Sequence, residues 1–343
     1  MNTSVTMSPD IIPLTDYESL EEANPEEKYR DDLIVAVAWL IMLNSALIFS
    51  MLVLLGIMRN RTMRSSPSYW FIISLSICDI AMALIMLAMF VPPLILPIRF
   101  EMGYWENIIT IFVYSIFWYT YVVQLGIMAL NRFISIVFLA KFKYLLSRTS
   151  TIISIVIGYF LGFLISSPNF MDCCHTLWYQ DYYSMNYEIL DSWYKYLDMA
   201  VNSISLVLMV FSYLVIIYKV RKSGKAIKAS RMYGNTKASV VRPQKQINKK
   251  EMALFIQFFV ISLSYLSTWT TWQWAWYISE SKWTGFITSS LFFINISISS
   301  SVNIIFNSTL RREIKDLIFF STQSRMDKRR AITVSVMHIT TAV

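Results

Sequence analysis

Apolar residues gather in long unbroken stretches, and polar residues gather between them. Leu33–Met58 carries no charge. Ser65–Ile98 carries one, Asp79. Asn107–Asn131, Thr149–Met171, Met199–Tyr218, Met252–Ser279 and Trp283–Leu310 carry none. A bilayer core of about 30 Å takes about 20 helical residues at 1.5 Å each. Each stretch is long enough to cross, and seven dry helices in succession do not fit a soluble core. The pattern predicts an all-α membrane protein, a seven-transmembrane helix bundle.

Composition agrees. The chain has 343 residues, of which 56% are hydrophobic and 15% charged, with a mean hydropathy of +0.49. This excludes a disordered chain and disfavours a soluble enzyme. Of the 30 basic residues, 25 fall in 59–68, 132–149, 219–250 and 308–343, on alternate connections and the tail. The positive-inside rule places those segments in the cytoplasm. Segment 1–32 has nine acids against two bases and is expected outside. The net charge of +8 is therefore a cytoplasmic-face charge, suited to anionic membrane lipids or an acidic partner and not to nucleic acid. The first 32 residues show no basic or apolar leader, so span one is expected to act as its own insertion signal.

Three regions are expected: an acidic extracellular N-terminus, 1–32; a seven-helix domain with a juxtamembrane helix, 33–320; and a disordered cytoplasmic tail, 321–343. In the juxtamembrane segment Leu310, Ile314, Leu317 and Ile318 form an apolar stripe, with Arg311, Arg312 and Lys315 off it. That spacing predicts a short amphipathic helix on the inner leaflet after span seven. The basic loop 219–250 is expected to prolong spans five and six as helix. Thr341 and Val343 at the chain end give a weak match to a PDZ-type ligand. Asn2 opens an outer glycosylation sequon. Gly158 and Gly162 are expected to let another helix of the bundle approach closely.

Polar residues within the spans carry the functional reading. Asp79 is deep in span two, where a carboxylate is costly unless paired, hydrated or protonated. Asn44, Ser299 and Asn303 are candidate partners, in a cluster that can hold a sodium ion, relay protons or simply be a satisfied structural network. Arg132 closes span three at the inner end, beside Asn131, and Glu251 at the start of span six is the acid placed to meet it. Trp269 lies 18 residues after Glu251, five helical turns on and so on the same face. Tyr114 and Tyr121 of span three, Asn202 of span five, Trp269 and Trp272 of span six, and Phe286, Ser289 and Phe293 of span seven together predict an outer cavity, apolar and aromatic, for a small-molecule ligand. Cys173 and Cys174 can form a vicinal bridge, pair between molecules or stay free. With two histidines in the chain, no metal site, cofactor site or catalytic constellation can be assembled, and an enzyme is not expected.

The ordered set of Asn44, Leu75 with Asp79, Asn131-Arg132-Phe133, Ser301-Val302-Asn303-Ile304-Ile305 and Phe306-Asn307-Ser308-Thr309-Leu310-Arg311 resembles the rhodopsin-like G-protein-coupled receptors over about residues 33–320. Leu130-Asn131-Arg132-Phe133-Ile134-Ser135-Ile136, the following Lys143-Tyr144 and the Phe306–Arg311 end look most like the nematode chemosensory serpentine receptors, class X. The resemblance implies a multi-pass plasma-membrane receptor that binds a small organic ligand and signals to a heterotrimeric G protein through Asn131, Arg132, Glu251 and Asn303. A small-solute transporter or channel is the alternative. It predicts ionisable residues along a path and broken helices, and only Asp79 meets that pattern. Departures from the receptor pattern stand out. Asn107 occupies the place of the outer cysteine on span three, Asn131 replaces the acid beside Arg132, and spans six and seven lack prolines.

Overall fold

The computed structural model describes residues 25–96, 103–137, 147–189, 191–232, 249–279 and 281–318. The chain is an all-helical membrane bundle. Span one is Pro25–Arg59, span two Pro67–Ile95, span three Tyr104–Val137, span four Arg148–Ser166, span five Trp193–Met232, span six Lys249–Ile278 and span seven Lys282–Phe306. Six of the seven are long and apolar enough over their described residues to cross a membrane. Span six, at 30 residues, completes the set. Spans five and six continue as helix into the basic connection, to Met232 and from Lys249.

The ends of the spans follow local chemistry. Span one starts at Pro25, ahead of the charge-free run, because proline suits a first helical turn and Glu26 and Glu27 face the positive end of the helix dipole. The Ser147 hydroxyl caps span four by accepting from Ser150 N, and Pro168 then ends that helix in a 3-10 turn. In span two, Met86–Phe90 form a π-helical turn directly before Pro92 and Pro93. A broken helix was not expected from the sequence. The two prolines remove adjacent N–H donors, and the π turn precedes them.

Span one packs against spans two and seven, span three against two, four and five, and span six against five and seven. This closes the ring. One face of span one points inward: Trp39, Leu43, Ala46, Ser50, Val53 and Ile57 are fully buried at a four-three spacing. Asn44 is one residue off that face. It is exposed, and its amide donates to the Leu40 carbonyl of its own helix at 2.7 Å. The expected partnership of Asn44 with Asp79 is therefore not made. In the middle of span one it is Ser50 that faces the interior, 2.8 Å from the Ser300 hydroxyl of span seven.

Small residues set the span three–four contact. A Cβ on Gly162 would lie 2.3 Å from Thr120 Oγ1 and 2.7 Å from the Ile116 carbonyl, so the glycine pair packs within the bundle, as expected. The outward faces carry large apolar side chains such as Ile41, Val156, Phe160 and Leu214, a surface suited to lipid. Residues 308–318 form the juxtamembrane helix. Leu310 and Ile314 are buried against Gly56, while Arg311, Arg312 and Lys315 are exposed. Asn307 starts this helix, accepting from Leu310 N and donating to the Tyr69 hydroxyl. Asn2, the tail 321–343 and the Thr341 and Val343 end lie outside the described residues.

Candidate functional site

The connection between spans four and five folds into a short antiparallel hairpin, β1 (Thr176–Tyr179) with β2 (Ser184–Tyr187), paired Thr176 to Tyr187 and Tyr179 to Ser184. Its turn ends at Tyr183, which takes a left-handed backbone at φ 51°. That conformation is costly for a bulky residue, about 1–3 kcal/mol, and both ends of the tyrosine are held. Its hydroxyl donates to Asp32 Oδ1 at 2.5 Å, and its carbonyl accepts from Ser289 Oγ at 2.7 Å. Burial, and then the bond to Asp32, push the Tyr183 phenol above its ordinary range and keep it a donor. Gly285 lets the turn sit against span seven, since a Cβ there would lie 1.8 Å from the Tyr182 carbonyl.

Asparagines tie the hairpin to span three. The Asn107 amide donates to the Trp178 carbonyl at 3.0 Å and its oxygen accepts from Trp178 N at 2.9 Å. Asn107 stands where the receptor resemblance puts a cysteine, and two hydrogen bonds make the loop-to-helix tie there. Asn169 adds a second pair, donating to the Ile108 carbonyl and accepting from Thr176 N. Cys173 and Cys174 are joined to each other, which resolves the alternatives left by the sequence.

Beneath the hairpin lies a cavity of about 80 Å³, room for several waters or one small ligand. Five of the eight expected ligand-site residues line it: Tyr114, Trp269, Trp272, Ser289 and Phe293. Three do not. Phe286 stacks on Trp39 at 6.2 Å between ring centres, Tyr121 is fully buried beside Asp79, and Asn202 sits behind the wall. The hairpin contributes Trp178 and Tyr187, and the π turn of span two contributes Met86. The indole N–H groups of Trp178 and Trp269 are buried without a hydrogen-bond partner.

The wall of span five holds the residue that the sequence reading missed. Asp198 lines the cavity and is 4% exposed. Its Oδ1 accepts from Tyr119 at 2.8 Å and from Asn202 Nδ2 at 2.7 Å, and its Oδ2 accepts from Tyr187 at 2.9 Å. Tyr194 donates to the Tyr119 hydroxyl at 3.3 Å, and Tyr265 of span six donates to Asn202 Oδ1. One carboxylate thus joins the hairpin to spans three, five and six. Burial, reinforced by Asp198, pushes the Tyr187 phenol above its ordinary range, so Tyr187 donates rather than competes as a second anion. Asp198 escaped notice because it ends the polar run ahead of span five, one residue before the charge-free stretch begins. The available signal was the spacing of Tyr194, Asp198 and Asn202, four residues apart on one helix face.

The remaining expected residues lie deeper. Asp79 is fully buried, with Ser299 and Tyr121 as polar neighbours, but neither of its oxygens makes a hydrogen bond of ordinary geometry. Asn303 bonds elsewhere: it accepts from Gln257 of span six and donates to the Ser299 carbonyl. Towards the basic end Arg132 is 9% exposed and lies within electrostatic reach of Tyr213, which meets Ser262 of span six at 3.1 Å; Asn131 is half-buried. The side chain of Glu251, and with it the expected pair to Arg132, lies outside the described residues. Among the described residues, no group of three His, Cys, Asp or Glu is placed to hold a metal ion.

A search among curated proteins returned no match. A family model described as the serpentine type 7TM GPCR chemoreceptor Srx matches residues 45–307. That match runs from within span one to the end of span seven and takes in the hairpin and the cavity, and the chain belongs to the Srx family of seven-transmembrane serpentine chemoreceptors.

Proposed function

We propose that this chemoreceptor binds a small organic molecule in the cavity beneath the hairpin and passes the event to a heterotrimeric G protein at the opposite end. The observation that carries the reading is the cavity itself. It is small and aromatic, roofed by a hairpin tied to spans one, three and seven, and walled by spans three, five, six and seven. Its volume favours a compact ligand over a peptide. The distribution of basic residues puts the hairpin end outside the cell, and it puts Arg132, the basic connection and the juxtamembrane helix inside.

Signalling needs a second arrangement of the bundle that the ligand favours. A ligand bound equally by both arrangements shifts nothing. Span six is the element placed to respond. Its Trp269 and Trp272 line the cavity, Tyr265 joins the Asp198 network, and Gln257 bonds Asn303 further towards the basic end. A ligand that repositions Trp269 therefore acts on the same rod that carries Gln257. The test is a panel of small volatile and polar organic compounds applied to cells expressing the receptor, with G-protein dissociation as readout. Active compounds should lose their effect on Ser115→Trp, which fills the cavity, while surface expression is retained. Full response from that variant would place the ligand elsewhere.

A further inference from the structure

We propose that the ligand is a small organic cation and that Asp198 is its counter-charge. This rests on the cavity being the ligand site. Asp198 is an acidic group on the cavity wall, and no lysine, arginine or histidine lines that wall with it. Among the described residues no basic group forms an ion pair with it. Three other acids at this end are engaged: Asp31 with Lys282 at 2.7 Å, Asp181 with Lys28 at 2.8 Å, and Asp32 with Tyr183.

The three donors on Asp198 fix its position. Two of them occupy Oδ1 and one occupies Oδ2, while each carboxylate oxygen offers two lone pairs. Oδ2 therefore keeps one acceptor position for an ammonium N–H. The surrounding rings match the same charge. Trp118, Trp178, Trp269 and Trp272 line the cavity, and tryptophan offers a cation the most favourable π face. An anionic ligand would be repelled by Asp198. A neutral ligand of equal size can give the carboxylate an uncharged hydrogen bond and the rings ordinary packing, but it lacks the charge-assisted bond and the cation–π attraction. The cavity is thus selective by charge as well as by size.

The experiment uses the full chain purified into lipid nanodiscs and follows its thermal midpoint against size-matched probe pairs: benzylamine and benzyl alcohol, isobutylamine and isobutanol, cyclopentylamine and cyclopentanol. In at least one pair the cation should stabilise the receptor, saturably, at about tenfold lower concentration than its neutral partner. Asp198→Asn should remove that preference. Where Asp198→Asn does not fold, Trp272→Leu decides the matter: Trp272 packs edge-on against Tyr187, but its loss removes no hydrogen bond of the network. This variant should weaken the cation about three- to tenfold and the alcohol less. Equal potency within every pair, a preference that survives Asp198→Asn, or equal losses in Trp272→Leu would overturn the proposal. Saturable binding of the alcohols alone would leave the cavity as the ligand site and remove only its charge selectivity. No response to any probe would count against both.

Discussion

Asp198, at the hairpin end, accepts hydrogen bonds from Tyr119, Tyr187 and Asn202. Asp79, deeper in span two, is equally buried, yet neither of its oxygens has a hydrogen bond of ordinary geometry. The regions around them differ in the same way. At the hairpin end Asn107, Asn169, Tyr183 and Ser289 all close specific bonds between elements. Beside Asp79, Tyr121 Oη is buried without a hydrogen bond of ordinary geometry, and deeper in the bundle Thr120 Oγ1 and both amide atoms of Gln124, against the span-four glycines, are buried without partners. A buried carboxylate with oriented donors holds its surroundings in one arrangement, whereas an under-bonded one costs stability where it stands. The hairpin end is therefore built to present a fixed surface to a ligand. The middle of the bundle is not locked in the same manner, and stability does not explain an acid there.

The largest test of this contrast is Asp198→Ala. It strands three neutral donors in the protein interior, and at about 1–3 kcal/mol for each buried group left unpaired it should lower stability by about 3–5 kcal/mol. Asp198→Asn should fall between this variant and wild type, because an amide oxygen still accepts. Thermal unfolding in a fixed detergent measures both. A wild-type midpoint for Asp198→Ala would show that the network does not organise the hairpin end.

Next in size is Asn107→Ala. It leaves the N–H and C=O of Trp178 unpaired under the hairpin, at about 1–3 kcal/mol for each buried group left unsatisfied, so a loss of about 2–3 kcal/mol is expected. Hydrogen exchange should rise in β1 and stay unchanged in span four. Uniform exchange across both would mean that the asparagine does not stand in for a covalent tie. Asp79→Asn gives the smaller and opposite response: the midpoint should be unchanged or raised by about 1 kcal/mol, since it replaces an under-bonded acid with a neutral amide. A loss matching that of Asp198→Asn would erase the distinction between the two acids.

Seven spans, their order and the amphipathic helix were legible because each depends on a one-dimensional pattern: apolar run length, basic residues between runs, and the stripe of Leu310 and Ile314. Trp269 was placed in the cavity by its helical register from Glu251. Asn44, expected as a partner of Asp79, is one position off the buried face of span one. The hairpin was not legible. Its strands are four residues each, and their partners come from distant chain: Trp178 binds Asn107, Tyr183 binds Asp32, and Thr176 binds Asn169. Asp198 was missed for a related reason. Counting charge-free residues treats an acid as the boundary of a span, so an acid satisfied inside the boundary is discarded with the loop.

The smallest effect separates buried polar bonds from those at the rim of the same hairpin. Lys28 and Asp181 form an ion pair at 2.8 Å, with both side chains about half exposed, 54% and 55%. Exposed pairs contribute about 0–1 kcal/mol, because water screens the charges and two long side chains lose freedom. Lys28→Ala should therefore shift stability by less than about 1 kcal/mol, and the shift should fade as salt shortens the Debye length from about 10 Å at 0.1 M to about 3 Å at 1 M. Asn107→Ala, acting through uncharged and buried groups, should keep its full effect over the same range. Measuring both variants at the two salt concentrations tests where the roof is held. If Lys28→Ala matches Asn107→Ala at low salt and vanishes at high salt, the hairpin is anchored by charge at its edge. If the order above holds, it is anchored by the carboxamide beneath it.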